Sequence, residues 1–480
     1  MPVVLWTDAL VFAVAAALVG YVLYASRHEH LAAPWRRVAH SASGVSAAVV
    51  LVFFVGAGLL DSLHFRPRIE SGDRKSAVYS VYSVEVRSLL DVLLAELRTR
   101  NEKTYSAPLA LRSYQRESLE LPDGRTVREY PRLRFGGAHL KDESDRRYDL
   151  GVRGLRAVGL ASLAWALATA LLVGVAARGS GRAQTDRWDS VWRGETDVPW
   201  RAILATLALM LLVLFPAFSL STHYHVLGTD KVGQDVLYLA MKGIRTALVI
   251  GALTTLVLLP LGVLLGISAG YFRGWVDDVI QYVYTTLNSI PGVLLIAAAV
   301  LLMQVYIETH PDLFPTQAQR ADLRLLFLCI ILGLTEWTGL ARLLRGESLK
   351  LRELEYVQAA RAFGVPSLRI ITRHILPNVM HIVLITAVMG FSGLVLAEAV
   401  LSYVGVGVDP SMNSFGLMIN AARLEMARDP MVWWSLAAAF VFMFVLVLAA
   451  NLFADAVRDA FDPRTHVGLR LGRFLKGRPA

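Results

Sequence analysis

Long uninterrupted apolar runs constrain this chain more than any other feature. They lie at about residues 5–25, 41–60 and 157–177, then at 202–220, 246–271, 279–306, 325–344, 379–406 and 432–453. A helical span needs about 20 consecutive apolar residues to cross the hydrocarbon core of a bilayer. The nine runs therefore read as nine membrane helices. Composition agrees. Of 480 residues 55% are hydrophobic and 18% charged, with mean hydropathy +0.49, against about 45–50% and about 25% for soluble globular chains.

The net charge of +9 fits either a nucleic-acid surface or a membrane protein with basic cytoplasmic loops. Position decides for the second. Arg27, Arg36 and Arg37 lie between the first two runs, and Arg178, Arg182, Arg187 and Arg193 follow the third. The positive-inside rule places both links in the cytoplasm, so no nucleic-acid partner is expected. The N-terminus and the charged stretch of residues 61–153 then face outward, and the six-run second half begins and ends inside. The first run reads as a helix that stays, because Asp8 is the only charged side chain before Arg27 and the run is long for a signal peptide. A single cysteine, Cys329, excludes an intramolecular disulfide and a cysteine-cluster metal site.

The charged stretch reads as a small α+β insert. Tyr82, Val86, Leu89, Leu93 and Leu97 recur at helical spacing, predicting an amphipathic helix over Ser76–Arg100. Leu119 and Leu121 alternate with Glu120 before Pro122-Asp123-Gly124, predicting a hairpin over Ser118–Tyr130. In the fifth run Gly262, Gly266 and Gly270 share one helical face, which suits close backbone approach, and Pro260 predicts a kink.

The most informative segment joins the seventh and eighth runs, from Glu355 to Asn378. Ala359 and Ala360 favour a helix, Gly364 suits the left-handed position after its end, and Pro366 suits the first turn of a second helix. Leu368, Ile371 and Ile375 form a stripe there, with Arg369 and Arg373 on another, and Pro377 is expected to end that helix. The small residues of the first helix suit docking into a groove of another protein. A solvated amphipathic connector is the plain alternative.

Three other features were weighed. Residues 228–233 have the spacing of a phosphate loop, but Gln234 and Asp235 stand where lysine and a hydroxyl are required, so no ATP site is expected there. His28/His30 and His223/His225 supply two ligands each, too few for a tetrahedral metal shell, and read as interfacial histidines. Glu336 and Glu398 lie inside apolar runs, where an ionisable group is costly and faces a partner or an aqueous cavity. Both are candidates for a solute pathway.

Glu355–Asn378 resembles the EAA loop of binding-protein-dependent ABC importer permeases: an acidic-aromatic start, Ala-Ala, a later Gly, then Arg373-His374-Ile375-Leu376-Pro377-Asn378. Three more segments are similar, in order, to the dipeptide, oligopeptide and nickel subgroup. They are His225–Asp230 with Gly233 and Asp235, Leu401–Val408, and Asp455–Arg464. Departures are Gln234, where the subgroup usually has Arg, Pro366, and Glu336, where a small residue is usual.

The resemblance implies an all-α polytopic membrane protein of the bacterial cytoplasmic membrane, with a six-span ABC importer permease core at 200–464. Residues 1–60 add two spans, 61–155 an exterior α+β insert, 156–199 a third span and link, and 465–480 a cytoplasmic tail. It implies a second homologous permease, two ATP-binding subunits carrying ATP and magnesium, and an extracytoplasmic solute-binding protein. Glu355, Tyr356, Ala359, Ala360 and Gly364 would dock the ATPase. No catalytic residue, metal or cofactor is expected in this chain, and its solute would be a peptide or peptide-like molecule. Nickel or another small solute is the alternative. A membrane sensor or structural subunit using its exterior insert is the alternative of another class.

Overall fold

The computed structural model describes residues 1–68, 82–120, 126–178, 190–194, 196–310, 312, 314 and 316–462. The expected turn at Pro122–Gly124, the basic link at Arg182 and Arg187 and the tail 465–480 lie outside these. Among the described residues nine helices are long and apolar enough to cross a membrane. In order they are Trp6–Ser26, Ala42–Asp61, Arg146–Arg178, Trp200–Ser221, Val236–Phe272, Gly292–Thr309, Gln317–Arg352, Ser367–Val404 and Trp434–Phe461. They are called spans one to nine.

The chain folds as two compact units. One comprises Met1–Val4, Ala39–Ala247 and Asn413–Ala449, the other Leu5–Val38, Leu248–Met412 and Ala450–Ala480. In the first, span four packs on spans two and three. Val173, Val191 and Leu204 are buried there, and Trp165 donates its indole N–H to the Leu204 carbonyl at 2.9 Å.

The insert has the expected mixed character. Pro2–Val3, His64–Phe65 and Arg87–Ser88 form a short antiparallel sheet, and Glu117–Glu120 pairs with Thr126–Glu129 as a hairpin with Leu119 opposite Val127. Residues 76–81 of the helix expected over Ser76–Arg100 lie outside the described residues; from Tyr82 on, the helix is confined to two short pieces, Leu89–Leu93 and Ala95–Thr99. Two local forces explain this. Arg87–Ser88 is drawn into the sheet, and Ser88 and Asp91 close a reciprocal capping box at 3.1 and 2.8 Å, which fixes the helix start. The buried face is Leu90, Leu94 and Leu97, whereas Leu89 and Leu93 are exposed.

In the second unit, span five runs unbroken through Pro260 and meets span seven through its glycines. A Cβ at Gly262 would lie 2.8 Å from the Leu340 side chain, at Gly266 2.7 Å from the Ala341 carbonyl, and at Gly270 2.6 Å from the Arg345 carbonyl. The stripe therefore serves close helix packing. The amphipathic helix Glu29–His40 packs by Val38 and Trp35 against Val457, Ala460 and Phe461 at the end of span nine.

Two expectations are corrected. The run 279–306 is not one helix but two, Trp275–Ser289 and Gly292–Thr309. Pro291 has no N–H and forces Ile290 out of the helical region, to φ −91° and ψ 131°. Conversely, Pro377 does not end a helix. Ser367–Val404 is continuous, because Ile371–Ile375 forms a π turn in which the Leu376 N–H reaches back to the Ile371 carbonyl. The wide turn accommodates the missing donor of Pro377 at the start of the following α segment.

Candidate functional site

The loop helix Glu355–Ala362 is held by one apolar anchor. Val357 is 2% exposed and sits in a core with Tyr271 of span five, Leu340 and Leu344 of span seven, and Ile370, Ile375 and Val379 of span eight. Ala360 and Val365 pack at the edge of this core. The helix ends as the sequence predicts. The Gly364 N–H bonds to the Arg361 carbonyl at 3.0 Å and the Val365 N–H to the Ala360 carbonyl at 3.1 Å. Gly364 takes φ +71°, the left-handed conformation that glycine adopts without strain. Pro366, at φ −58°, precedes the next helix. The Asn378 amide donates to the Tyr356 hydroxyl at 3.3 Å, and the Tyr356 and His374 rings lie 5.8 Å apart, tying the loop helix to the base of span eight.

The outward surface is apolar at its tip. Phe363 is 87% and Leu368 73% exposed, with Glu355, Tyr356, Ala359, Ala362 and Gly364 also exposed. The structure thus brings Glu355, Tyr356, Ala359 and Gly364 to the loop surface, and turns Ala360 toward the chain's own core. Sequence reasoning missed Phe363 and set Leu368 on one stripe with Ile371 and Ile375, whereas Leu368 is exposed and Ile375 is buried. The signal of Phe363 and Leu368 was two large apolar residues flanking the glycine turn of an otherwise polar loop.

The two candidate carboxylates part company. Glu336 is exposed near the midpoint of span seven, on a face shared with Gly339, Leu343 and Gly346, and no hydrogen bond or ion pair to it is found among the described residues. Glu398 is 1% exposed and accepts a hydrogen bond from Ser402 Oγ at 2.6 Å. Ser402 Oγ in turn accepts the Val408 N–H at 3.3 Å, so Glu398 braces the turn that begins at Gly405 (φ +88°). An ionised acidic group at the centre of a span costs about 3 kcal/mol on insertion scales. Glu398 meets that cost with partners inside the chain; Glu336 does not.

A third constellation was not foreseen. The insert is fastened to the motif His225–Asp235 by a buried carboxylate–imidazole–carboxylate relay. His225 Nδ1 lies 2.8 Å from Asp235 Oδ2, and its Nε2 lies 3.3 Å from Glu102 Oε1 of the insert. Glu102 also accepts the backbone N–H groups of Arg134, Phe135 and Gly136 at 2.8, 2.8 and 3.1 Å. Gly233 (φ +77°) lets the Glu102 backbone approach so closely that a Cβ would lie 1.9 Å from its carbonyl oxygen. Further pins are Tyr105 hydroxyl to Glu425 at 3.1 Å, Thr229 hydroxyl to the Thr104 carbonyl at 2.9 Å, and the Trp434 indole to the Thr229 carbonyl at 2.9 Å. Within residues 228–235, the Asp230 carboxylate accepts the Val232 and Gln234 N–H groups, so this loop turns its amides onto its own acid.

The relay carries a pH dependence. Burial alone would depress the His225 pKa, but the hydrogen bonds and charges of Asp235 and Glu102 outweigh it and hold the value at about 9. Burial would raise that of Glu102, but the bonds from His225 and three amides bring it to about 2. A raised histidine pKa contributes stability that is complete below about 6.5 and disappears as pH rises through about 9; the Glu102 contribution is complete above about 4.5 and disappears as pH falls toward about 2. The thermal midpoint of the purified protein is therefore expected to fall between pH 7 and pH 10. That fall should be smaller in His225→Gln; equal slopes would show that the relay does not govern it.

Comparison with known proteins agrees with these elements. Residues 262–467 match the family described as "Binding-protein-dependent transport system inner membrane component". The chain is 31% identical to the oligopeptide transport system permease protein OppC of Mycobacterium tuberculosis (strain ATCC 25618 / H37Rv), over 57% of this chain and 93% of that protein. It is 33% identical to the glutathione transport system permease protein GsiD of Pectobacterium atrosepticum, over 50% and 73% respectively. It is 29% identical to the dipeptide transport system permease protein DppC of Bacillus subtilis (strain 168), over 50% and 69%. A solved chain titled as inward-facing MetNI methionine ABC transporter aligns at TM-score 0.35 and 17% identity, covering 47% of this chain and 98% of that one. That score is too low to carry an argument. On the family match, the relatives and the nine spans together, the chain belongs to the inner-membrane permeases of binding-protein-dependent ABC importers, in their peptide subgroup, and is a multi-pass permease subunit of an ATP-driven importer in the bacterial inner membrane.

Proposed function

We propose that the importer carries peptides or peptide-like solutes, and that this chain forms its pore with a second homologous permease. Two separate ATP-hydrolysing chains, which hold ATP and magnesium, dock on the loop around Glu355–Gly364, and a solute-binding protein delivers from outside. The relatives are oligopeptide, dipeptide and glutathione permeases, and this supports the solute class. The observation that carries the docking role is the exposed apolar tip, Phe363 and Leu368, on a helix whose anchor Val357 packs among spans five, seven and eight. A force applied at the tip would move those spans together, which is what alternation between two packed states requires. On this reading the chain itself performs no bond chemistry. Uptake of a labelled tripeptide into vesicles holding the reconstituted complex, with and without ATP inside the compartment that the loop faces, tests the function. ATP-independent uptake would overturn it.

The same reading puts the insert on the outer face. Its support is the alternation of basic links. It is reinforced by the fastening of the insert to the segments after span four and before span nine, which span parity assigns to the side opposite the loop helix. In a chain carrying Cys329→Ser and Lys141→Cys, the exposed position 141 should react with an impermeant thiol reagent in intact spheroplasts. Labelling only after lysis would reverse the orientation.

A further inference from the structure

Two hydrogen bonds set the level of span six against span seven. Arg324 Nη2 donates to Gln304 Oε1 at 3.0 Å, and Thr338 Oγ1 donates to Asn288 Oδ1 at 3.3 Å. Between these ties the chain breaks at Ile290-Pro291, where the helix Trp275–Ser289 gives way to span six. Counting at about 1.5 Å per helical residue from Gln304 down and from Asn288 up puts the break level with Glu336. The interruption thus lies level with the middle of span seven and not with either of its ends.

Around it the chain is open, polar on the side of Thr285–Ser289 and apolar at Val293 and Leu294. Thr285, Thr286, Asn288, Ser289, Ile290 and Pro291 are exposed, as is Glu336. Gly339 and Gly346, one and three turns further along the open face of Glu336, have nothing within 4 Å of an added Cβ. Arg342, the nearest basic group along span seven, is turned to the Tyr284 ring, 5.3 Å from its centroid. Non-helical backbone at membrane depth is tolerated only where protein covers it or where it lines a water-filled cavity. An unpaired carboxylate obeys the same rule. Two independent features, a backbone break and a carboxylate, therefore call for water or covering protein at one level of the same pair of spans, and the openness of both favours water.

We propose that Glu336 and the break at Ile290-Pro291 before span six line a water-filled stretch of the solute path that selects for cations, and that the Glu336 carboxylate holds the ammonium or guanidinium group of a solute in transit. The inference rests on the permease reading and deepens it. A peptide offers such a group at its N-terminus and on Lys and Arg side chains. The site attracts the positive end of a zwitterion and repels its carboxylate, so it orients the solute as well as admitting it.

The test uses the assembled complex in membrane vesicles, with Cys329→Ser and Gly339→Cys in this chain. Cysteine modification is timed with a cationic and an anionic methanethiosulfonate reagent, each rate divided by that of a free thiol in solution. Residues three apart on a helix have Cβ atoms about 5–6 Å apart, and one unit charge at that distance across water shifts the cation-to-anion ratio roughly tenfold. The expected result is a ratio of about ten with Glu336, near one in Glu336→Gln, and again about ten in Glu336→Asp. If Gly339→Cys reduces assembly, Leu343→Cys on the same face replaces it. No reaction with either reagent would mean that lipid or the second permease covers this face, and would overturn the proposal. So would a ratio unaffected by Glu336→Gln. Uptake of trialanine by the unmodified complex is scored separately and decides the peptide reading alone.

Discussion

Gly364→Val is expected to reduce solute uptake by about a hundredfold or more while leaving the chain inserted in the membrane at its normal level. At φ +71° a β-branched residue is strained by about 1–2 kcal/mol or more. It relieves that strain by leaving the left-handed region, which breaks the Gly364–Arg361 and Val365–Ala360 bonds that end the loop helix. Phe363 and Leu368 then lose their fixed relation. Space is not the cause, because an added Cβ at Gly364 meets nothing within 4 Å. Gly364→Asn, which tolerates the left-handed region, should therefore retain much of the uptake that valine loses. The measurement is copurification of the ATP-binding chains with the mutant, followed by uptake. Normal association together with normal uptake would reduce Glu355–Gly364 to a solvated connector. Ala359→Glu should act in the same way from the exposed surface, whereas Ala360→Glu would act by disturbing the chain's own core.

The second large effect is expected at Glu102. Glu102→Ala strands three backbone N–H groups and leaves His225 with one carboxylate instead of two. A broken buried pair costs about 3–5 kcal/mol, and the part-buried Arg134 and Phe135 amides can regain water, so a loss of about 3–5 kcal/mol in local stability is expected. It should appear as loss of hydrogen-exchange protection over residues 131–137. The loop helix Glu355–Ala362 should keep its own exchange pattern. Glu102→Gln keeps the acceptor oxygen and should fall between. Unchanged protection at 131–137 in Glu102→Ala would show that the hairpin side of the insert stands without the relay.

How much of this was legible in the sequence follows from what each signal depends on. Spans were legible because bilayer thickness sets their length, whatever they pack against. The loop was legible because Gly364 and Pro366 act on their own backbone. The break at Ile290 carried the same kind of signal in Pro291, but the apolar run continued across it and hydropathy hid it. Pro377 misled in the other direction: its usual effect was cancelled by a π turn at Ile371–Ile375, which no residue pattern there announces. Leu89 and Leu93 scored as a buried stripe because helical spacing cannot tell which of two interleaved rows faces the core; the capping box at Ser88 decided for Leu90, Leu94 and Leu97. The relay was not legible at all. Glu102 and His225 are 123 residues apart, and neither has a local pattern that announces the other.

The π turn at Ile371–Ile375 has a mechanical corollary. Such a turn holds one residue more than an α turn, so it stores a phase offset in an otherwise regular helix. Exchanging it for an α turn would advance the helix by about one residue, a rotation of about 100° with a displacement of about 1.5 Å. Span eight runs straight through this turn, without an intervening loop, and its lower end is linked through Asn378 to Tyr356 of the loop helix. The chain therefore holds, at the foot of one span, a screw thread of defined pitch: a small change of winding there swings every side chain of residues 376–404 to a new azimuth, with almost no movement along the membrane normal.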